Sequence, residues 1–408
     1  MRPIGCRVIV TGGGAVSPFG AGVEPLVLGV SSGRRAQGRT DGGRVARVPP
    51  AAVAACPFGA NAWRRLDLGS KMAAAAAYEA LQAAGYPAEI PRPADDAGIA
   101  TLLGTMTAGI ETLRAFLGAL FREGPESVSP MQFPFTVPNA PASQCSILLG
   151  LQGPNLTICE MEASGLAAVA TAADLIRSGA IEAAVAGGVD EQSETFGRAW
   201  ARLRLTHRGN PETFPGPFAK IRRGFMPGEG AYLLVLESID RARRRGAEPW
   251  AEVVGESMTH GRAAAHAWSR DAEEVASAIR ETVTRAGLRP REIGYVAASA
   301  NGTRDIDAAE ARALRLAFGD EARRVPVTSV KGSIGESAAA SACSALVGAV
   351  SIRDGFIPPL AGLVEPDPDL GLDLVTRDAR RERVPSVLVH ALGTGGSACC
   401  VILTRAEA

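Results

Sequence analysis

Two long segments of this chain consist almost entirely of small residues. They are GLAAVATAADLIRSG at residues 165–179 and AAASACSALVGAVSIRDG at residues 338–355. Their composition predicts helices, yet neither segment has the broad polar face that a surface helix presents to water. A helix of this kind has to be covered on all sides by other elements. We therefore expect each helix to lie between two β-sheets.

Strand-like and helix-like segments alternate along the whole sequence. The predicted elements are strands at residues 6–12, 97–105, 183–191 and 293–302 and helices at residues 68–85 and 273–287. Residues 325–355 repeat the strand, turn and helix of residues 155–179, which indicates a duplicated β/α unit. The pattern predicts an α/β fold with an N-terminal half at residues 1–245 and a C-terminal half at residues 246–408.

Composition argues against several kinds of partner. Of 408 residues, 46% are hydrophobic, and 43 basic side chains balance 43 acidic ones. A chain of this length buries a large core, and its zero net charge creates no bulk field that would attract nucleic acid or an anionic membrane. The seven cysteines show no Cys-x-x-Cys pair and no spacing with histidine that would build a zinc site. We expect no metal, and we interpret the cysteines, Cys159 included, as small buried residues.

The N-terminal residues show no targeting segment that we recognise. Their apolar run before TGGGAVSPFG (residues 11–20) is too short for a signal peptide or a spanning helix. We therefore predict a cytoplasmic location. The glycine cluster lacks the third glycine of a dinucleotide fingerprint, so we predict a tight turn there and no nucleotide cofactor.

Five motifs resemble, in order along the chain, landmarks of the β-ketoacyl synthases that condense acyl chains bound to carrier proteins. They are VIVTGGGAVSPFGAG at residues 8–22, QGPNLTICEMEASGLAAVATAADLIRSGAIEAAVAGGVDE at 152–191, RRGFMPGEGAYLLVLE at 222–237, VTSVKGSIGES at 327–337 and GTGGSACCVIL at 393–403. Together they span nearly the whole chain. The resemblance implies the thiolase-like fold, a five-layered αβαβα stack built from two duplicated β/α halves.

The resemblance also indicates where the catalytic residues of an active synthase would stand. Such an enzyme uses a cysteine thiolate at the start of the central helix and two histidines, but this chain has Glu162 in place of the cysteine. Asn301 replaces the first histidine, and Glu336 replaces the second, five residues after the retained Lys331. The histidines of the chain match neither position; they are His207, His260, His266 and His390. The resemblance therefore implies no catalytic residue at these three degenerate positions.

The loss of the cysteine and of the two histidines follows the pattern of one subfamily. The chain is similar to chain-length factors, the degenerate partners of catalytic ketosynthases in type II polyketide synthases, and Thr394 stands where active enzymes carry a gating phenylalanine. This similarity implies a non-catalytic subunit that forms a heterodimer with a Cys-bearing ketosynthase. The growing polyketide would arrive on the phosphopantetheine arm of an acyl carrier protein, and no other cofactor is implied.

Two segments are candidates for the tunnel and for the dimer contact. The helical stretch at residues 108–121 places Ile110, Leu113 and Leu117 on one apolar stripe. The resemblance places this stripe near the dimer boundary, where it would limit chain length, but plain core packing explains it equally well. The resemblance to thiolase-fold dimers implies that the strand at residues 155–161 pairs across the two-fold axis with a partner subunit, since it would be an exposed edge in a monomer.

Three roles for Glu162 remain open at this point. Its carboxylate can cap the following helix, which is worth roughly 0.3–1 kcal/mol. It can instead pair with Lys331 and Asn301 in a vestigial pocket, or, when protonated, donate a hydrogen bond to a thioester carbonyl. The third role leads to an alternative function, a free-standing malonyl-carrier decarboxylase or an acyltransferase that uses Glu162 or Glu336 as base. For Glu336 we favour an ion pair with Lys331.

Overall fold

The structure is a computed structural model, and it describes residues 6–36, 39–40, 43–54, 58–88, 98–207 and 214–407. The α-helices are α1 (Val23–Ser31), α2 (Ala60–Arg65), α3 (Leu68–Ala83), α4 (Ile110–Glu123), α5 (Ala140–Leu149), α6 (Ser164–Arg177), α7 (Glu194–Arg202), α8 (Ile239–Arg245), α9 (Ala272–Arg285), α10 (Arg304–Phe318), α11 (Lys331–Ile334) and α12 (Ala338–Asp354).

The strands are β1 (Val8–Ser17), β2 (Gly20–Ala21), β3 (Arg39–Thr40), β4 (Gly43–Arg44), β5 (Ala100–Gly104), β6 (Asn155–Ile158), β7 (Ala183–Asp190), β8 (Gly230–Ser238), β9 (Ala251–His260), β10 (Tyr295–Ala297), β11 (Pro326–Thr328), β12 (Phe356–Ile357), β13 (Asp373–Leu374), β14 (Arg380–Arg381), β15 (Ser386–Leu392) and β16 (Ser397–Thr404). The predicted strand at residues 293–302 is confined to β10, and the residues that follow it belong to a turn.

Most of the described strands join one mixed sheet that contains the same five-strand arrangement twice. The order is β13-β11-β10-β15-β16-β9-β1-β8-β7-β5-β6, with β2 paired to β1. The run β6-β5-β7-β8-β1 matches the run β11-β10-β15-β16-β9 in order and in the parallel or antiparallel sense of each pairing. The two runs meet where β1 pairs with β9 over three residues. The duplicated β/α unit predicted from the sequence is therefore present.

Helices cover the sheet on both outer sides and fill the space between its two halves. Helix α3 packs on β1, β7 and β8 with α5 beside it, and α9 packs on β9 and β16 with α10 beside it. Helices α6 and α12 contact each other and strands of both halves, β7 and β16 among them. These contacts make five layers in the order helix, sheet, helix, sheet, helix.

The central layer explains the small residues of the two segments that opened the sequence analysis. Every residue of α12 from Ala338 to Ile352 is buried. Gly165 of α6 lies so close to α12 that an added Cβ atom would be 2.7 Å from the carbonyl oxygen of Ala338. Larger side chains would push the two helices apart and with them the two halves of the sheet.

The tight turn predicted in TGGGAVSPFG is present at Pro18 and Phe19, between β1 and β2, but the three glycines lie within β1 for a different reason. The reason is close packing against α3. An added Cβ atom at Gly14 would be 2.0 Å from the carbonyl oxygen of Ala76, and one at Gly12 would be 2.5 Å from that of Ala80. The missing side chains let the helix approach the strand backbone directly.

We expect Gly14→Ala to lower the free energy of unfolding by about 1–3 kcal/mol, because α3 has to move away from β1. A matched control is Gly197→Ala within α7, where an added Cβ atom meets nothing within 4 Å. The control should be neutral or stabilising by up to about 1 kcal/mol. Urea unfolding of both variants checks this, and equal stabilities would contradict the packing role of Gly14.

In the part of the chain that the structure describes, no helix combines the length and the apolar character needed to cross a membrane.

Candidate functional site

Glu162 lies in a short turn between the edge strand β6 and the central helix α6. Residues Met161–Ala163 form one 3₁₀ turn, and Met161 adopts a left-handed backbone conformation with φ of 51°. A residue with a side chain is strained in this conformation. The turn directs the side chain of Glu162 into the protein, where the residue is 1% exposed.

The carboxylate of Glu162 is held by Thr394. The backbone N–H of Thr394 donates to Oε2 at 2.8 Å, and its hydroxyl donates to the same oxygen at 3.1 Å. The N-cap of α6 is Ala163, and that helix has no side-chain cap. Among the described residues, no Lys or Arg forms an ion pair with Glu162. The structure therefore supports neither helix capping nor pairing with Lys331 as the role of Glu162.

Burial raises the pKa of Glu162 to about 7. The negative charge of Glu336 adds to the rise, whereas hydrogen bonding by the Thr394 backbone and the more distant charge of Lys331 oppose it. At neutral pH, the carboxyl group is therefore divided between its neutral and its charged form.

This pKa predicts a pH dependence of stability. The folded-state pKa of Glu162 is raised from 4.5 to about 7, so its contribution to stability is fully present below about pH 4.5 and is lost as the pH rises through 7. The free energy of unfolding of the wild type, relative to that of Glu162→Gln, should fall by about 2.5 kcal/mol between pH 5 and pH 8. Denaturant titrations of both proteins across this range measure the difference, and parallel pH profiles would contradict it.

Glu336 is the carboxylate that pairs with Lys331 and Asn301. Its Oε2 atom accepts hydrogen bonds from Lys331 Nζ at 2.9 Å and from Asn301 Nδ2 at 2.7 Å. The side chains of Lys331 and Glu336 are each 1% exposed. The expected ion pair is thus present and fully buried, and it engages the lysine and the asparagine that would otherwise face Glu162.

The turn that carries Asn301 is fixed by two carboxylates of α10. Asp307 accepts hydrogen bonds from the backbone N–H groups of Asn301 and Gly302, and Glu310 accepts those of the two residues before them. His390 contacts the same Glu310 carboxylate, with 2.6 Å between Nδ1 and Oε1. The sequence analysis did not assign Asp307, Glu310 or His390 to the site. The three-residue spacing of the two acids, which places them on one helix face, was the available signal.

The other residues predicted for the site lie in two places. Thr394 contacts Glu162 and belongs to the buried site. Ile110, Leu113 and Leu117 lie on α4, a helix with no buried residue in the isolated chain. Core packing therefore does not explain their apolar stripe, and a tunnel-lining role stays a prediction. Cys159 is exposed, so its predicted place in the core is wrong; it directly follows the edge strand.

Residues 121–156 carry a concentration of exposed apolar side chains. Of the twelve exposed large apolar side chains in the described residues, half lie between residues 121 and 156; these six, which we call the apolar face, are Phe121, Met131, Phe133, Val137, Ile147 and Leu156. Phe133 packs on Phe116 of α4 at 5.9 Å between ring centroids, and β6 is hydrogen-bonded to α5. The face is continuous with β6, which is the last strand of the sheet. A patch and an open strand edge of this kind indicate a protein–protein contact.

A cleft of about 1420 Å³ opens beside the turn that carries Asn301. Its lining includes six basic side chains, Arg204, Lys220, Arg222, Arg223, Arg270 and Arg304, and two acidic ones, Asp305 and Asp367. Thr303 also lines it. The excess of positive charge favours the approach of an anionic group. Among the described residues, no cluster of His, Cys, Asp and Glu is arranged to hold a metal ion.

Comparison with known protein families shows to which family the chain belongs. The model of the β-ketoacyl synthase N-terminal domain matches residues 6–242, and that of the C-terminal domain matches residues 250–364. The chain belongs to the β-ketoacyl synthase family. The family and the thiolase-like fold predicted from the sequence are therefore confirmed.

Relatives of this β-ketoacyl synthase family member match along nearly its whole length. It is 32% identical over 419 residues to the 3-oxoacyl-[acyl-carrier-protein] synthase 2 of Rhizobium meliloti (strain 1021), covering 98% of this chain and 99% of the relative. It is 33% identical over 419 residues to the "Oxytetracycline polyketide putative beta-ketoacyl synthase 1" of Streptomyces rimosus, covering 98% and 97%. Among solved structures, the ishigamide ketosynthase/chain length factor superposes with a TM-score of 0.88 at 28% identity, covering 99% of this chain and 100% of that one.

Proposed function

We propose that this chain is the non-catalytic chain-length factor of a type II polyketide synthase. In this role it pairs with a Cys-bearing ketosynthase and shapes the tunnel into which the carrier-bound chain grows. The observation that carries the proposal is the state of the three degenerate positions. Glu162 is bound by Thr394, and Glu336 accepts hydrogen bonds from Asn301 and from Lys331, so no thiol or imidazole is present at these positions for condensation.

The apolar face supports the heterodimer. It lies beside α4, whose Ile110, Leu113 and Leu117 are half-buried in the isolated chain and would be covered by a partner. The similarity to the ishigamide ketosynthase/chain length factor agrees with a paired assembly. We propose that β6 joins the two subunits and that the stripe on α4 limits the length of the tunnel.

We propose the acyl carrier protein as the second partner, with its phosphopantetheine arm as the only cofactor involved. The name of the Rhizobium relative includes the acyl carrier protein as its substrate carrier. The basic cleft is a suitable contact for an anionic carrier. The cytoplasmic location stays a prediction, as does the division of the chain at residues 245 and 246, which falls between the segments matched by the two family models.

Native mass spectrometry tests the proposed assembly. The tagged chain is co-expressed with the Cys-bearing ketosynthase encoded beside it, and the complex that co-purifies is weighed. We expect a one-to-one heterodimer. A stable homodimer that ignores the ketosynthase would refute the chain-length-factor role.

One observation favours a second candidate function, a free-standing malonyl-carrier decarboxylase or acyltransferase. A buried carboxyl group with a pKa of about 7, as in Glu162, is suited to proton transfer near neutral pH. The variant Glu162→Ala separates the two functions. In complex with the ketosynthase, a non-catalytic subunit should keep product formation within about threefold, whereas an enzyme that depends on Glu162 should lose a factor of about 100 or more.

A further inference from the structure

A second cleft, of about 340 Å³, lies at the other end of the strands that lead to the candidate site. Four arginines and two glutamates line it, and we call it the arginine groove: Arg291, Arg324, Arg380, Arg383, Glu321 and Glu382. The groove flanks the first residues of the parallel strands β10 and β11. Asn301 and Lys331 follow the last residues of the same two strands. The arginine groove is therefore separate from the candidate functional site.

The arginines of the groove come from three separate segments of the chain. Arg291 lies in the 3₁₀ turn Pro290–Glu292 before β10, and Arg324 lies two residues before β11. The other two belong to the basic segment RDARRERVP at residues 377–385. Like charges that converge in this way repel one another, and an anion placed between them removes the repulsion.

The basic segment is held in a fixed position. Its strand β14 pairs with β12. The guanidinium group of Arg380 donates two hydrogen bonds to Asp373, at 2.7 and 2.6 Å. Val384, directly after Arg383, is 1% exposed. The backbone of Arg383 is therefore fixed by its neighbours, and its own side chain is not needed for that purpose.

Two of the four guanidinium groups have no partner. Among the described residues, neither Arg291 nor Arg383 forms a hydrogen bond or an ion pair through its side chain. Arg324 approaches Glu321 at 3.4 Å, but the side chain of this arginine is 76% exposed, and exposed pairs of this kind contribute little. Three guanidinium groups at the groove can therefore bind an anion without breaking a strong contact.

The size and the chemistry of the groove fit a small ligand with several phosphate oxygens. Its volume lies at the lower end of the range found for small-molecule sites. The floor is apolar and buried, with Ile293, Val325 and Ile357 each at most 3% exposed. Planar guanidinium groups bind phosphate oxygens in pairs. Several of them around one cavity therefore match an anion that carries more than one phosphate.

We propose that the arginine groove binds a small molecule that carries a diphosphate group, with the phosphates held between Arg291, Arg324 and Arg383. The groove lies beside β10 and β11, near the end of the sheet opposite to β6. The ligand and a partner subunit at β6 can therefore be bound at the same time. This inference goes beyond the proposed subunit role and does not depend on it.

The test uses the full chain and inorganic pyrophosphate in metal-free buffer. Isothermal titration calorimetry measures the affinity, and hydrogen–deuterium exchange locates the site. We expect saturable binding that slows amide exchange in residues 291–294, 322–325 and 379–384. Sulfate at equal ionic strength should bind at least about 10-fold more weakly, because a single tetrahedral anion meets fewer guanidinium groups. A lack of saturable binding, or protection confined to the basic cleft beside Asn301, would refute the proposal.

A double variant tests the two arginines that have no partner. Arg291→Ala/Arg383→Ala removes no described side-chain contact, so the fold should persist. We expect it to weaken pyrophosphate binding at least about 30-fold and to abolish the protection of the groove. The matched control Arg243→Ala/Arg312→Ala removes two exposed arginines outside the groove and should keep the affinity within about twofold. Equal losses in both double variants would mean that pyrophosphate responds to net charge alone, which contradicts a specific site.

Discussion

Replacing Leu156 by Asp should abolish the proposed heterodimer. Leu156 lies on the edge strand β6 and is 40% exposed in the isolated chain, so the substitution leaves the fold intact. In a complex formed through this edge, the new carboxylate would be buried without a partner. The expected cost is about 3 kcal/mol or more, which weakens the complex at least about 100-fold. Native mass spectrometry and analytical ultracentrifugation of the co-expressed proteins measure the effect.

The matched control for Leu156→Asp lies in an outer layer. Leu316 of α10 is 49% exposed, and α10 packs beside α9 away from the apolar face. Leu316→Asp should leave the heterodimer at wild-type affinity. Equal loss of the complex in both variants would point to general destabilisation, and full retention of the complex in Leu156→Asp would exclude β6 from the contact.

Replacing Lys331 by Met should cause the largest loss of stability among the single substitutions considered. The substitution leaves Glu336 buried, with Asn301 as the only described side chain that donates to it. Removing one partner of a buried ion pair costs about 3–5 kcal/mol, because the remaining charge has no compensation. Urea unfolding at pH 7.5 measures the change. The loss should be smaller at pH 5, since burial raises the pKa of Glu336 and favours its neutral form there.

Two control variants test whether the unpaired charge of Glu336 causes the loss of stability in Lys331→Met. In the double variant Lys331→Met/Glu336→Met no charge is left behind, so most of the stability should return. Lys220 forms an ion pair with Glu365 in which both side chains are more than half exposed, so Lys220→Met should cost less than about 1 kcal/mol. If Lys331→Met were as mild as Lys220→Met, the buried pair would have no structural role.

Much of the fold could be predicted because it follows from composition and order. The small residues of α6 and α12 admit only a covered position, and the repeated strand–turn–helix pattern corresponds to the repeated strand order of the sheet. The packing role of the glycines in β1 could not be predicted, because a glycine needed for helix approach and a glycine needed for a turn look alike in the sequence. Only the 2.0 Å approach of Ala76 to a Cβ at Gly14 distinguishes the two cases.

The site and its Lys331–Glu336 ion pair could be predicted from the sequence, but the partner of Glu162 could not. Glu162, Asn301, Lys331 and Glu336 were identified as one group, and the structure brings them together. Lys331 and Glu336 are only five residues apart, whereas Thr394 reaches Glu162 from 232 positions further along the chain. Local sequence patterns carry no information about such approaches.

The position of β1 has a consequence for the folding of the chain during its synthesis on the ribosome. All ten residues of β1, Val8–Ser17, are buried, but its two neighbours in the sheet are β8 at Gly230–Ser238 and β9 at Ala251–His260. Apart from its two-residue pairing with β2 at Val16 and Ser17, the strand that is translated first therefore has no partner on either edge until more than half of the chain has emerged. Pairings this distant in sequence form slowly, and an open apolar edge in a nascent chain invites aggregation. Chaperone capture of the early N-terminal segment would protect it during that interval.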